Sequence, residues 1–338
     1  MIETALPAPR PSLPSPPKPG SIVGAFILIV ILAGFLACAA GVAMLVVPGP
    51  AMTAKTIVIP QRSGGREIGK ILAENGIVYD RWQFALPARL LAHGKLRPGE
   101  YEFAPQLTIL DILALLQSGN TIVHKISIPE GLTAVEIAGL LKAEAALAGA
   151  IKDIPQEGSL LPETYHFSRN DARADMIARM QKLAAAALAE FWQKRAPGLP
   201  FATPEEARVL ASIVEKETAR PEERPRIAGV FINRLRQGIK LQSDPTTIYA
   251  LTNGKSALNR PLTYADLAVA SPYNTYAVAG LPPAPIANPG RAALQAVLNP
   301  EKHDYLYFVA DGSGGHVFAK TLDEHNANVA RWRKLQEH

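Results

Sequence analysis

The sequence predicts an α+β protein: one N-terminal transmembrane helix, then two small folded units that mix short strands with helices. Three observations carry this expectation. The run from Ser21 to Val47 contains no charged residue, and about 20 such residues cross a bilayer as a helix. The full chain has 338 residues, enough for roughly two domains at about 150 residues each. Beyond the apolar run, short alternating stretches rich in β-branched residues give way repeatedly to capped helical periods. The chain carries 35 Lys and Arg against 30 Asp and Glu, with 48% hydrophobic residues. That balance excludes a disordered chain and gives no reason to expect nucleic acid as a partner.

In chain order, residues 1–20 are Pro-rich, with only Glu3, Arg10 and Lys18 as charges, and read as a disordered tail. Residues 21–47 read as the span. A cleaved signal peptide has a shorter apolar region of about 7 to 15 residues, so the run is expected to stay as an anchor. The lone cysteine, Cys38, lies inside it; it excludes an intramolecular disulfide and a Cys-built zinc site. Basic residues flank the span on both sides, Arg10 and Lys18 before it, Lys55, Arg62, Arg66 and Lys70 after it. Charge counting therefore leaves its orientation open.

Residues 48–121 form the first unit. Lys55 to Pro60 alternates like a short strand, Arg66 to Asn75 and Asp80 to Ala92 read as helices, and Gly99 to Phe103 as a second strand. Thr108-x-x-Asp111 caps a helix through Gln117. Strand, two helices, strand in this compass is the plan of a LysM-like wall-binding module, with a plain spacer fold as the alternative.

Residues 122–338 form the second unit. Ile122 to Ile128 alternates as a strand, and the capping box Thr133-x-x-Glu136 opens a helix to about Ala148. Met176 to Trp192 reads as a helix. Tyr305–Ala310 and His316–Lys320 read as a hairpin, and Thr321-x-x-Glu324 caps a last helix through Trp332. Ser271 to Gly290 is a long Pro-rich loop bearing Tyr273, Asn274 and Tyr276.

The most informative stretch is Thr203 to Thr218. Thr203, Pro204 and Glu206 fix the start and phase of a helix. On its wheel, Ala207, Leu210, Ala211 and Val214 form an apolar stripe, and Glu217 belongs to it, while Lys216 points away and Glu215 falls at the margin. Burial and a helix C-terminus both disfavour an ionised carboxyl. A carboxyl kept protonated near neutral pH suits a general acid; the alternative is a structural Glu satisfied by Arg226, Arg234 or Arg236. Downstream, Lys240 to Pro245 reads as an extended run into an Asp-Pro turn. Its Gln242 and Asp244, with Tyr273 and Asn274 of the long loop, offer flat faces and hydrogen-bonding edges suited to sugar rings. The sequence holds no H-E-x-x-H, G-x-S-x-G, Walker loop or G-x-G-x-x-G, so metal hydrolase, serine hydrolase and nucleotide enzyme lose support. No cofactor and no metal are expected.

From the membrane span onward the chain resembles the YceG-like endolytic murein transglycosylases, the MltG family. The motifs that carry the resemblance are Ala211-Ser-Ile-Val-Glu-Lys-Glu-Thr218, Val230-Phe-Ile-Asn-Arg-Leu235, Leu241-Gln-Ser-Asp-Pro-Thr246, Tyr273-Asn-Thr-Tyr276, Gly280-Leu-Pro-Pro283 and Tyr305-Leu-Tyr-Phe-Val-Ala310. Leu160 to Tyr165 is a shortened form of a family segment. The resemblance implies a YceG-like catalytic domain over residues 122–338, Glu217 as catalytic acid, and Asn233, Gln242, Asp244, Tyr273 and Asn274 as substrate-binding. It implies cleavage of the β-1,4 bond from MurNAc to GlcNAc inside peptidoglycan strands, leaving 1,6-anhydroMurNAc ends and terminating nascent strand elongation. It also implies a cytoplasmic tail, an inner-membrane span and a periplasmic body, with peptidoglycan synthases as partners. The competing reading is a non-catalytic peptidoglycan-binding scaffold, in which Glu217 is structural.

Overall fold

The computed structural model describes residues 19–92 and 96–336; the expected disordered tail lies, up to residue 18, outside them. The chain divides into two units, residues 1–122 and 123–338.

The first unit opens with α1 (Pro19–Val46). Its residues Val23–Val46 are long and apolar enough to cross a membrane, and their side chains are exposed almost throughout. There follow β1 (Lys55–Ile59), α2 (Gly65–Glu74), α3 (Arg81–Leu91), β2 (Gly99–Phe103) and α4 (Ile109–Ser118). The strands pair antiparallel with Ile57 opposite Tyr101. Their inward side chains, Ile57, Ile59, Tyr101 and Phe103, meet Ile68 and Leu72 of α2, Phe84 of α3 and Ile112 and Leu116 of α4. Local chemistry sets the helix ends: Asp80 accepts from the Trp82 N–H at 2.7 Å, Thr108 and Asp111 form a reciprocal box, and Gly119 closes α4 in the left-handed region at φ 72°.

α2 and α3 touch at Gly69, where a Cβ would lie 2.4 Å from the Arg81 carbonyl oxygen. Gly69→Ala is therefore expected to push the helices apart and destabilise the chain by about 1–3 kcal/mol. A denaturant midpoint unchanged from the parent would contradict this packing.

The second unit contains β3 (His124–Ser127), α5 (Ala134–Ala143), β4 (Thr164–Phe167), α6 (Arg173–Gln193), α7 (Pro204–Glu217), a 3₁₀ turn (Pro221–Glu223), α8 (Arg224–Arg236), α9 (Asp244–Thr252), α10 (Tyr264–Leu267), α11 (Arg291–Leu298), β5 (Tyr307–Ala310), β6 (His316–Ala319) and α12 (Leu322–Gln336). Both strand pairs, β3–β4 and β5–β6, are antiparallel. The main core lies where α7, α8 and α11 pack together, with Leu210, Ile213, Val214, Ile227, Phe231, Leu294 and Val297 buried in it. A second cluster joins β3, β4, α5 and the first half of α6 through Ile137, Tyr165, Met176 and Met180.

Several elements differ from the sequence expectation, among them the short α10, which has no counterpart in it, α6, which begins at Arg173, and α12, which ends at Gln336. β4 partners β3 from a segment in which no strand is expected. α5 stops at Ala143, short of Ala148, because Glu144 turns extended (φ −71°, ψ 107°). There the Arg173 guanidinium donates to the carbonyls of Leu141, Lys142 and Glu144, groups that a longer helix would have used itself. Asp244-Pro245 opens α9 instead of a turn, Pro occupying a first-turn position where its missing N–H costs nothing. α11 emerges directly from the Pro-rich loop. Residues 271–290 themselves contain no helix or strand; isolated backbone bonds, such as Asn288 N–H to the Leu132 carbonyl, and side-chain bonds hold them in position.

Candidate active site

Thr203 accepts from the Glu206 N–H and Glu206 reaches back to Thr203, so α7 starts where the capping box places it. Fourteen residues later its last residue, Glu217, lines a cleft of about 540 Å³. Thr218 leaves the helix extended, and its hydroxyl donates to Glu223, which in turn holds His316 at 2.7 Å. The end of α7 is thereby tied to the β5–β6 hairpin. The cleft wall opposite comes from Tyr307, Phe308 and Val309 of β5 and from His325, Asn326, Val329 and Trp332 of α12.

Ser243 donates its hydroxyl to Glu217 Oε1 at 2.5 Å. With Oε1 accepting, Oε2 is left to carry a transferable proton. Burial pushes the Glu217 carboxyl up to about 7; Ser243 opposes, the Asp244 charge adds to the rise, and Arg234 opposes. At neutral pH a substantial fraction is thus protonated, as a general acid requires. Of the three arginines expected as partners for a structural Glu217, none pairs with it. Arg226 bonds Glu301 at 3.0 Å, Arg236 donates to the Gly198 carbonyl, and Arg234 supplies only longer-range charge.

Arg234 is buried, and its guanidinium donates to the carbonyls of Leu306 (2.6 Å), Lys240 (3.1 Å) and Leu241 (2.9 Å) and to the Gln242 side chain (3.2 Å). One side chain of α8 thus clamps both β5 and the strand-like approach to Ser243, while stacking over Tyr307 at 5.1 Å. A second lock is built from hydroxyls. Thr246 Oγ1 lies 2.8 Å from Thr275 Oγ1, Thr275 Oγ1 accepts from the Ser243 N–H, and the Gln242 N–H donates to the Thr275 carbonyl. Gln242 itself sits at φ 52°, a left-handed conformation that these bonds over-determine.

The structure brings three of the six expected site residues to the cleft: Glu217, Gln242 and Asp244. Asp244 accepts from the Tyr276 hydroxyl at 2.6 Å where a backbone turn had been expected. Burial and Asp244 together push that hydroxyl well above the ordinary tyrosine range. The other three lie elsewhere. Asn233 donates to the His303 and Tyr305 carbonyls and lines a different cavity from Glu217. Asn274 is fully buried, accepting from Thr247 and donating to the Leu267 and Val269 carbonyls. Tyr273 packs against Tyr249, ring centres 4.9 Å apart. All three shape the loops behind the cleft and do not line it. The sequence assigns no role to Ser243, Tyr276 or the α12 wall, and expects Arg234 only as a partner of a structural Glu217; Ser243 and Tyr276 sit inside the quoted motifs, but loop residues have no periodicity to say which side chain points inward.

Glu215 corrects the wheel. Far from a margin, its side chain is buried, accepting from Arg224 at 2.7 Å and from the Gly290 N–H at 2.8 Å. Burial outweighs both and holds its carboxyl above the usual range.

The YceG-like family model matches residues 57–331. The chain is 30% identical over 305 residues to the endolytic murein transglycosylase of Bacillus subtilis (strain 168), covering 81% of this chain and 83% of that protein. It is 31% identical over 322 residues to the endolytic murein transglycosylase of Streptococcus pneumoniae serotype 2, of whose length it spans 58%. Among solved structures, a yceG-like protein of Listeria monocytogenes superimposes with a TM-score of 0.51 at 32% identity, covering 81% of this chain and 98% of that one.

Proposed function

The chain belongs to the YceG-like family, and from that premise we propose that it is a membrane-anchored endolytic lytic transglycosylase with Glu217 as its acid and base. The observation that supports this most is a carboxyl held near pKa 7 in an open cleft, with one oxygen engaged by Ser243. Glu217 protonates the glycosidic oxygen as the bond to the muramyl C1 breaks. The resulting carboxylate keeps the Ser243 hydrogen bond and the nearby Arg234 charge, so it is stabilised when it forms. It then takes the proton of the muramyl C6 hydroxyl while that oxygen bonds to C1. The proton lost in the first step is recovered in the second, and no water is consumed. A glycosidase that hydrolyses needs a second carboxylate in a catalytic role; here the neighbouring one, Asp244, is committed to Tyr276.

The span α1 supports a membrane anchor, and action on murein requires the body to face the periplasm. The β-α-α-β-α order of the first unit supports its reading as a LysM-like wall-binding module, and synthases that make the strands are the expected partners. The deciding experiment is digestion of purified glycan strands by the full chain, followed by mass spectrometry. Anhydro ends, lighter than reducing ends by one water, are expected. Reducing ends would replace lyase by hydrolase, and no cleavage would favour a non-catalytic scaffold.

Asp244→Asn separates the same alternatives within the site. It weakens the hold on Tyr276, so turnover is expected to fall about 10- to 100-fold through misplaced substrate, with products still anhydro-ended. Complete loss of cleavage with the protein folded would instead make Asp244 part of the chemistry.

A further inference from the structure

Within the first unit, the exposed side of α3 carries large apolar side chains and arginines where a surface helix normally carries mixed polar and charged residues. One side is buried through Gln83, Phe84, Ala85, Pro87 and Ala88. The other side exposes Trp82 (39%), Leu86 (52%) and Leu90 (71%), spaced by four residues, with Tyr79 (67%) just before them. No acidic residue occurs between Arg81 and Leu91. Instead, the Arg66 and Arg81 guanidinium groups lie 5.6 Å and 5.0 Å from the centre of the Trp82 ring. Arg66, Trp82, Leu86 and Arg89 line a groove of about 290 Å³. An exposed apolar stripe rimmed by cations marks an interaction surface.

Its position in the unit says what covers it. α1 packs against α3 and α4, Leu45 near its end lies against the unit's core, and three residues after Val46 the Gly49 N–H already donates to the Leu107 carbonyl. The apolar span therefore enters the fold with almost no linker, which keeps α3 beside the bilayer surface. Tyr and Trp with Leu and Arg is the composition of the membrane interface: amphipathic rings at headgroup depth, cations on phosphates.

We propose that the Tyr79–Leu90 face of α3 docks on the leaflet from which α1 emerges, with Trp82, Leu86 and Leu90 entering the interface and Arg66, Arg81 and Arg89 bonding the phosphates of anionic phospholipids. The docking rests on the reading of α1 as a membrane anchor. It converts a tether of one helix into a fixed orientation of the first unit on the membrane.

The test uses the full chain in phosphatidylethanolamine–phosphatidylglycerol nanodiscs carrying a nitroxide near the lipid headgroup, the emission of Trp82 being the difference between the parent and Trp82→Phe. Co-elution with the discs reports the anchor; quenching reports the docking. Trp82 emission should be quenched, and Arg66→Gln and Arg89→Gln should each lower the ratio of docked to undocked protein about five-fold. Leu90→Glu, at the most exposed position of the stripe, should release Trp82 from the quencher. A co-eluting chain whose Trp82 is not quenched overturns the docking and leaves the anchor standing. So does a Trp82 that responds only to added glycan strands, which would give the face to the wall. A chain that does not co-elute overturns both.

Discussion

Glu217→Gln is expected to lower the rate of glycan cleavage by about 100- to 10,000-fold, the contribution of a general acid, while making the folded protein more stable at alkaline pH. Both effects have one cause. Glutamine keeps the shape of the side chain and an oxygen to accept from Ser243, but it has no proton to give. The folded protein raises this carboxyl from the ordinary 4.5 to about 7, so it opposes ionisation. The resulting penalty is absent below pH 4.5, grows between pH 4.5 and 7 and is fully present above. Glutamine cannot ionise and escapes it. The upper limit is about 3 kcal/mol at 1.36 kcal/mol per pKa unit, reduced because the residue keeps some solvent exposure at the cleft. Melting curves of parent and variant should therefore coincide near pH 4.5 and separate by a few degrees at pH 8, the variant melting higher. A variant that cleaves at the parental rate, or melts lower at pH 8, would show that Glu217 is not the strained acid described.

Two residues back on the same helix, Glu215→Gln should do the opposite and destabilise at neutral pH. Arg224 is buried and donates to both Glu215 and Glu130. Glutamine has one acceptor oxygen where the carboxylate serves two buried donors, so its amide nitrogen meets either the Arg224 guanidinium or the Gly290 N–H. Breaking a buried pair costs about 3–5 kcal/mol; the lower end applies, since Glu130 remains and glutamine escapes the burial penalty that raises the Glu215 carboxyl. At about 2–4 °C per kcal/mol for a unit of this size, melting should fall by roughly 6–12 °C. Cleavage by the protein that stays folded should keep its product chemistry, because the cleft contains Glu217 and not Glu215. A melting temperature equal to the parent's would mean that Arg224 finds other partners at no cost.

These two glutamates show what could be read in advance and what could not. Features decided within a few residues were legible. The boxes at Thr108, Thr133, Thr203 and Thr321 all form, because a cap needs only side chains three positions apart. Glu217 was legible for the same reason: Thr203 and Pro204 fix the phase of α7, and a carboxyl on its apolar stripe is an anomaly at any length. Glu215 was misread because a wheel presumes one wet face. α7 packs against α6, α8, α9 and α11, so Val209, Ser212 and Ile213 are buried as well.

The loops were legible as loops, and their hydrogen bonds were not. Thr246 and Thr275 are 29 positions apart, a pairing that exists only after α9 and the long loop have folded together. Within Tyr273-Asn-Thr-Tyr276, all four side chains suit a sugar, yet only Tyr276 reaches the cleft. Asn274 looked like a ligand group and proved to be the strut that holds the loop, its donors and acceptors spent on Thr247, Leu267 and Val269. Asn233 likewise spends its amide on the backbone leading to β5.

The central claim, one carboxyl serving as acid and then as base, is tested most directly by the pH dependence of kcat/KM on peptide-free glycan strands. With Glu217 raised to about 7 and required in its protonated form in the free enzyme, kcat/KM should stay level through mildly acidic pH. It should then fall along a single limb centred near pH 7, and that limb should vanish with the activity in Glu217→Gln. A bell-shaped profile, with a second limb below pH 6 from a carboxylate that must be ionised, would contradict the account and require a two-carboxylate hydrolase.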